Sequence, residues 1–322
     1  MRVWLVGFGT VGRWVTRALS ERYDAWFDVV GVANRGDGFF YDESGLDLRG
    51  VRSLNELPDV QRWPTALEGL RATDADVLVE VSESPPAGGE PGRSHLEEAL
   101  SRGIPAVTSN KWPVALHGVE LAELGRSQSA PLRVESTVMS GTPVLSTLRE
   151  GLAGASPIAV RGVLNATANY ILSEMARGAA YPDALADAQR QGLAERDPSA
   201  DVDGHDAVAK AMVLSALVFG RQLRLEDVSR TGISSVTEEA MSRAVSEGRR
   251  IREVTTVEGP VARVEPVTLD ADDPLARVDG TDNAVVCRAN PLGRVTIVGP
   301  GAGLELAGQG VLSDLVAIAS RA

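Results

Sequence analysis

Lysine is almost missing from this chain. Of 32 basic side chains in 322 residues, only Lys111 and Lys210 are lysines, and all the others are arginine. Cysteine is scarcer still. Cys287 stands alone, which excludes an internal disulfide or a cysteine metal cluster and makes a reducing cytoplasm the expected compartment. Positive charge is short overall, with 44 acids against 32 bases and a formal net charge of −12. Such a surface repels phosphate backbones and anionic lipid, so neither nucleic acid nor a membrane surface is an expected partner. Long apolar runs are lacking too: stretches such as Ala211–Phe219 are far too short to cross a bilayer. The amino-terminal run MRVWLVGFGT has none of the charged, hydrophobic and cleavage regions of a signal peptide. What is present is a hydrophobic content of 43%, enough for two domains of ordinary size.

The first third alternates apolar β-branched runs with helical stretches, the pattern of a parallel α/β sheet. Strands are expected at Arg2–Val6, Val29–Ala33, Val77–Val81 and Ile104–Thr108, and helices at Gly12–Tyr23 and Arg93–Arg102. Residues 36–64 show no firm period and read as loop with short helix. From Glu135 the texture changes. Helices are expected at Pro143–Leu152, Asn169–Arg177, Asp183–Gln191, Asp206–Phe219 and Thr237–Glu247. Strands of a second, mixed sheet are expected at Ile158–Leu164, Val261–Leu269, Ala284–Arg288 and Arg294–Val298, and a last helix runs through Leu312–Ala319. The fold class is therefore α/β: a Rossmann-type parallel-sheet dinucleotide-binding domain over residues 1–134, completed by 297–322, and a second, α+β domain over 135–296.

Gly7-Phe8-Gly9-Thr10-Val11-Gly12 is a G-x-G-x-x-G turn between a strand and a helix. The first glycine permits the tight turn and the second lets the backbone approach a pyrophosphate. The third lets the helix pack close, while the helix amino terminus faces the anion. At the end of the second strand, where an NAD-selective site places an acid for the ribose 2′-hydroxyl, the chain has Asn34-Arg35. A guanidinium suits a 2′-phosphate, so NADP is the expected cofactor, with NAD the alternative.

The two lysines fall where ligands collect. Lys111 follows the strand Ile104–Thr108 directly, and in a doubly wound sheet ligands lie beyond the carboxyl ends of the strands. Lys210 is one helical turn beyond Asp206 on an otherwise apolar helix, which puts both on one face. The bland reading of that pair is an exposed ion pair worth a few tenths of a kcal/mol. Lysine differs from arginine in one decisive way, because it can release a proton near neutral pH. The loop ahead of the helix, Glu195 to Asp206, is dense in acids. It lacks the glycine and glutamate spacing of a calcium loop, and instead suits the ammonium of an amino-acid substrate held by Glu195 and Asp206. His205 reads as a surface residue at a helix start.

Taken together, these segments resemble homoserine dehydrogenase, the NAD(P)-dependent enzyme that interconverts aspartate 4-semialdehyde and homoserine. The likeness runs nearly end to end, through GFGTVG at 7–12, GGEPGRSHLEEAL at 88–100, VTSNK at 107–111, ESTVMSGTPV at 135–144, GVLNATANYIL at 162–172, the stretch Glu195–Lys210, GPGAG at 299–303 and VLSDLVAIA at 311–319. The resemblance implies that Lys111 and Lys210 are the two active-site lysines, with Asp206 positioning Lys210. It implies that Glu195, Asp201 and Asp206 are substrate-site acids and Ala166-Thr167 the substrate-contacting turn. Gly301 falls on the glycine motif that meets the cofactor. Ser82 begins the stretch after the strand Val77–Val81 that lies near the nicotinamide; the family's small polar T-P-T-like run there is Ser82-Glu83-Ser84-Pro85-Pro86 in this chain. Glu135, Val138, Ser140 and Thr142 resemble a monovalent-cation site, as for Na+, made mostly of backbone carbonyls; here it carries Met139-Ser140 where glycine or alanine is usual. The resemblance further implies a homodimer through the second domain, a small-molecule substrate, and no room for the family's regulatory ACT domain. A related NADP-linked reductase of another short amino-aldehyde, or a non-catalytic cofactor-binding homologue, are the alternatives.

Overall fold

In the computed structural model, residues 1–58 and 60–321 are described. Contacts divide the chain into two compact units, Met1–Gly141 with Gly303–Ala322, and Thr142–Ala302.

The first unit is built on a seven-stranded sheet in the order β4-β3-β2-β1-β5-β6-β7. Its strands are β1 (Arg2–Val6), β2 (Asp28–Asn34), β3 (Gly38–Tyr41), β4 (Gln61–Trp63), β5 (Val77–Glu80), β6 (Ala106–Thr108) and β7 (Leu132–Arg133). β2, β1, β5, β6 and β7 run parallel, while β3 and β4 add an antiparallel edge. The helices are α1 (Thr10–Arg22), α2 (Ala66–Ala72), α3 (Gly92–Ser101), α4 (Lys111–Ser127), α5 (Ser136–Met139) and, from the far end of the chain, α11 (Leu304–Ala319). β1 and β5 are apolar and buried almost throughout, as strands covered on both faces must be. Val15, Ala18 and Leu19 of α1 share one core with Val311, Leu312, Leu315 and Ile318 of α11. The two helices meet closely at Gly308, where a Cβ would lie 2.3 Å from the Trp14 ring.

The second unit carries a six-stranded sheet in the order β13-β12-β8-β10-β11-β9. Its strands are β8 (Ser156–Val163), β9 (Val228–Arg230), β10 (Arg250–Glu258), β11 (Val261–Leu269), β12 (Asp282–Asn290) and β13 (Gly293–Pro300). All pairs are antiparallel except β11 with β9. The helices are α6 (Ala166–Ala176), α7 (Tyr181–Arg190), α8 (Ser199–Val202), α9 (His205–Val218) and α10 (Glu238–Ser246). α6, α7 and α10 bury their apolar stripes with Ile251 of β10 in one cluster.

The units part at 141/142 and 302/303, whereas the boundaries expected from sequence fall at 134/135 and 296/297. Two features move the divide. Ser136 Oγ donates to the Ala307 carbonyl at 2.8 Å and the Glu135 N–H donates to Asp314 at 2.8 Å, so α5 belongs with α11. β13 stays in register with β12 as far as Asp282 opposite Pro300, so the strand expected to end at Val298 runs two residues further. Residues 143–152 form only a short, partly π-helical segment, Thr147–Gly151, rather than a full helix.

Candidate active site

The nucleotide turn has the geometry its glycines require. Gly7 sits at φ +108°, and a Cβ there would lie 2.6 Å from backbone atoms of Val81 and Ser82, so the turn is pressed against the exit of β5. At Gly12 a Cβ would come within 2.0 Å of the Gly7 carbonyl oxygen. Gly9 is the opposite case, because a Cβ there meets no atom within 4 Å. Open space over Gly9, beside a first turn of α1 that no side chain caps, is a cradle for an anion, and it fits a dinucleotide pyrophosphate. Thr10 and Val11 open the helix, while Phe8 is buried beneath the Arg13 guanidinium, 4.3 Å from its ring centre. Only the backbone of Phe8 is available to a ligand. Arg35 is exposed one residue past β2, and its guanidinium donates to the Glu83 carbonyl at 3.1 Å. A cavity of about 710 Å³ runs between α1 and the 44–51 loop, but Lys111, Arg35 and Ser82 do not line it.

Lys111 is the first residue of α4, directly beyond β6. A buried network fixes that exit. Glu80, at the end of β5, accepts from the Ser82 hydroxyl and from the Asn110 amide at 3.1 Å. Asn110 also donates to Ser84 Oγ at 2.7 Å, and Thr108 Oγ1 donates to the Glu80 carbonyl at 2.7 Å. The loops leaving β5 and β6 are thus tied together under Lys111, and the Ser82 hydroxyl is committed to Glu80.

In the second unit the acids and the lysine converge. Lys210 Nζ lies 2.7 Å from Asp206 and donates to the Leu164 carbonyl at 2.6 Å, with the residue only 8% exposed. Asn165 caps α6 by accepting from the Ala168 N–H at 2.8 Å, and its amide donates to Asp201 at 2.7 Å and to Asp206 at 3.4 Å. Burial pushes the Asp201 carboxyl above the usual carboxylate range, with the Asn165 hydrogen bond opposing the rise. Ala166 and Thr167 form the first turn of α6. Thr167 Oγ1 donates to the Leu193 carbonyl at 2.8 Å, which ties that turn to the acidic loop. Glu195 is exposed, and its carboxylate makes no hydrogen bond within the cluster among the described residues; only its carbonyl is engaged, by Gln189 at 3.0 Å. His205 is exposed at the start of α9, as its sequence position suggests.

Gly301 lies in the loop after β13, and a Cβ there would be 2.0 Å from the Asn283 amide carbon. Glu135 and Val138 are buried at α5, and Ser140 holds φ +51° just beyond it. Thr142 Oγ1, in the second unit, donates to the Pro300 carbonyl at 3.2 Å. No group of three or more His, Cys, Asp or Glu side chains suited to a metal occurs among the described residues.

Glu253 is the residue that sequence reasoning missed. It lies in β10, 2% exposed, and neither carboxyl oxygen has a hydrogen-bond partner. Burial raises its pKa to about 8, reinforced by the charges of Asp206 and Asp201 and opposed by Lys210. Asn165 and Glu80 were also missed. The cap pattern of Asn165-Ala166-Thr167-Ala168 could have drawn attention to the first; nothing local marks the other two.

A family model for homoserine dehydrogenase matches residues 143–316, and one for the homoserine dehydrogenase NAD-binding domain matches 7–135. The chain is 35% identical to an NAD(+)-dependent homoserine dehydrogenase of Pseudomonas canavaninivorans, over 98% of this chain and 95% of that one. It is 33% identical to a homoserine dehydrogenase of Methanocaldococcus jannaschii, covering 99% and 98%. Among solved structures, a putative homoserine dehydrogenase of Archaeoglobus fulgidus superposes with a TM-score of 0.88 at 33% identity, covering 99% of both chains. A hyperthermophilic archaeal homoserine dehydrogenase in complex with NADPH gives 0.84 at 31% identity, covering 100% and 98%. With both units matched by family models and relatives above 30% identity spanning almost every residue, the chain belongs to the homoserine dehydrogenase family.

Proposed function

We propose that this chain reduces L-aspartate 4-semialdehyde to L-homoserine, reversibly, with a nicotinamide cofactor. The observation that carries the reading is the Lys210–Asp206 pair, nearly buried and held by the Leu164 carbonyl and the Asn165–Asp201 contact. The direct experiment is to follow NADPH oxidation on adding aspartate semialdehyde; no oxidation would sink the proposal.

The cofactor, when bound, supplies hydride to the aldehyde carbon, and the developing alkoxide needs a proton or a positive charge. Lys210 is the proton donor in this reading. Asp206 and the Leu164 carbonyl aim its ammonium, and the Asn165 amide bridges Asp206 and Asp201. Lys111 binds substrate or cofactor and stabilises charge at the exit of β6. The Gly7–Gly12 turn and Gly301 serve the cofactor, and Ser82 and Ser84 shape the loop beside it. Ala166 and Thr167 present the first turn of α6 to the substrate, and Glu195 takes its ammonium. An exposed carboxylate with no competing hydrogen bond is suited to that. We therefore expect Glu195→Gln to raise KM for the semialdehyde about tenfold, roughly 1.4 kcal/mol, with kcat changed much less. Equal loss in both parameters would remove Glu195 from substrate binding.

NADP is the preferred cofactor in this reading because Arg35 follows β2, exposed, where a guanidinium suits a 2′-phosphate. The relatives named above divide on the point, one being NAD(+)-dependent and another solved with NADPH. Arg35→Ala is expected to cut the kcat/KM ratio of NADPH over NADH by about tenfold, an effect of a charge-assisted hydrogen bond. An unchanged ratio refutes the assignment. The Na+-type site at Glu135, Val138, Ser140 and Thr142 rests on the resemblance alone. A homodimer through the second unit is supported by apolar side chains left open on its sheet, Ile158 and Val298 being 43% and 58% exposed. A cytoplasmic setting is supported by the single cysteine, Cys287, which is free and buried. Among the described residues no helix is long and apolar enough to cross a membrane.

A further inference from the structure

Glu253 has no place in the chemistry described so far, yet its surroundings are those of a working residue. β10 pairs along its whole length with β11, setting Glu253 opposite Pro266, and this fixes the backbone from which the side chain projects. The carboxyl lies against the amino-terminal cap of α9. A Cβ on Gly204 would be 3.3 Å from Glu253 Oε2, and Gly204 itself needs φ +79°. The charged groups it feels are Asp206 and Lys210 of α9 and Asp201 of α8. On the β9 side, Arg230 packs its stem 3.5 Å from the Gly204 Cβ position, while its guanidinium is turned to the Asp203 carbonyl. The neutral Asn165, which caps α6, is bonded to both aspartates.

A carboxyl sealed from water with both oxygens unpartnered is a costly arrangement, and a leucine of similar volume would pack at that position without the penalty. Buried polar groups of this kind call for a specific explanation, and here the neighbours provide one. We infer that Glu253 is a positioning residue for the candidate proton donor: it is a buried acid set against the cap of the helix that carries the Asp206–Lys210 pair, and its own protonation sets the charge that surrounds the Lys210 ammonium.

While Glu253 is neutral, the ammonium faces two carboxylates, Asp206 and Asp201. Once it ionises, a third negative charge is added inside a site of low polarisability, and release of a proton from the ammonium to an alkoxide becomes harder. With its carboxyl titrating near 8, Glu253 stays mainly protonated through neutral pH and ionises on the alkaline side. Reduction therefore slows as pH rises through that range.

This inference rests on the reading of Lys210 as proton donor, so two measurements are needed. The first does not involve turnover. The infrared carbonyl band of a protonated carboxyl that is absent in Glu253→Gln reports Glu253 directly. Its loss with pH should have a midpoint near 8. That midpoint should rise by about one pH unit in Lys210→Met and fall by about as much in Asp206→Asn, the size expected for a neighbouring charge. No such band at pH 7, or a midpoint blind to both substitutions, overturns the inference whatever Lys210 does. The second is the pH profile of kcat for reduction. It should fall by about threefold between pH 7 and pH 9 in the parent protein and run flat in Glu253→Gln. Glu253→Leu, which removes the titrating group with conserved volume, serves as the second variant should the glutamine protein fail to fold. An alkaline limb unchanged in both variants overturns the coupling to catalysis. If Lys210→Arg kept its turnover while the infrared midpoints moved as stated, the donor assignment would fall and the electrostatic coupling would stand.

Discussion

Lys210→Arg is expected to lower kcat for semialdehyde reduction by about a thousandfold, roughly 4 kcal/mol, within the range that general acid catalysis contributes. The substitution keeps the positive charge and removes the group that can give up a proton, since a guanidinium stays protonated at any working pH. The site also has no room for the exchange. Lys210 Nζ is held between Asp206 at 2.7 Å and the Leu164 carbonyl at 2.6 Å, on a helix whose neighbouring residues Ala207–Ala211 are all buried. A planar fork with five donors cannot occupy a position shaped for a single ammonium. Retention of turnover within about tenfold, roughly 1.4 kcal/mol, would end the donor role. Thermal unfolding of the same variant separates chemistry from folding. A melting temperature close to the parent's with kcat lost places the effect at the reacting atoms, whereas a large drop would assign it to packing.

The scarcity of lysine made both candidates legible before any fold was known, and the structure gives them different settings. Lys111 opens α4 beyond β6, and Lys210 is paired one turn from Asp206, as the i,i+4 spacing required. Strands such as β1 and β11 were readable to the residue because they are rich in apolar β-branched residues and, in β11, begin with a clear alternation. β10 was not. Its sequence, Arg-Ile-Arg-Glu-Val-Thr-Thr-Val-Glu, places charged residues at positions that are buried, Arg252 and Glu253 each being 2% exposed. A pattern reader assigns such residues to a loop, because what surrounds them comes from far away in sequence: Ser173 and Asp279 against Arg252, and the cap of α9 at Gly204 against Glu253. α4 was hidden for a local reason: Pro113 and Gly118 interrupt it, and His117 at φ −135° marks a kink between two helical pieces. The Glu80–Asn110–Ser84 network has the same character as Glu253, being polar, buried and assembled from two segments well apart in sequence. Side chains whose role is defined by long-range neighbours leave no periodic trace.

The glycines of the nucleotide turn should separate folding from cofactor binding when each is replaced by alanine. Gly7→Ala and Gly12→Ala are expected to destabilise the protein by about 2–4 kcal/mol, the sum of overpacking and backbone strain. At Gly7 the new methyl would lie 2.6 Å from the Val81 carbonyl carbon and the Ser82 nitrogen at φ +108°, and at Gly12 it would lie 2.0 Å from the Gly7 oxygen. Those obstacles are backbone atoms of the turn itself and of the chain leaving β5, which cannot turn aside as a side chain would. Gly9→Ala differs in kind. Its methyl meets nothing within 4 Å, and the residue already has φ −84°, so stability without cofactor should change by less than about 0.5 kcal/mol. Affinity for the dinucleotide should nonetheless fall at least about tenfold, roughly 1.4 kcal/mol, because the space over Gly9 is where the pyrophosphate must approach the backbone. Calorimetric titration with NADPH, beside thermal unfolding of the free protein, reads both quantities. If Gly9→Ala bound cofactor as well as the parent did, the open space there would not be the phosphate cradle. If it unfolded as readily as Gly12→Ala, the turn would be packed from above as well as below. The pattern expected, two substitutions that act on folding and one that acts on binding, is what distinguishes a phosphate-binding turn from a glycine-rich turn that merely packs.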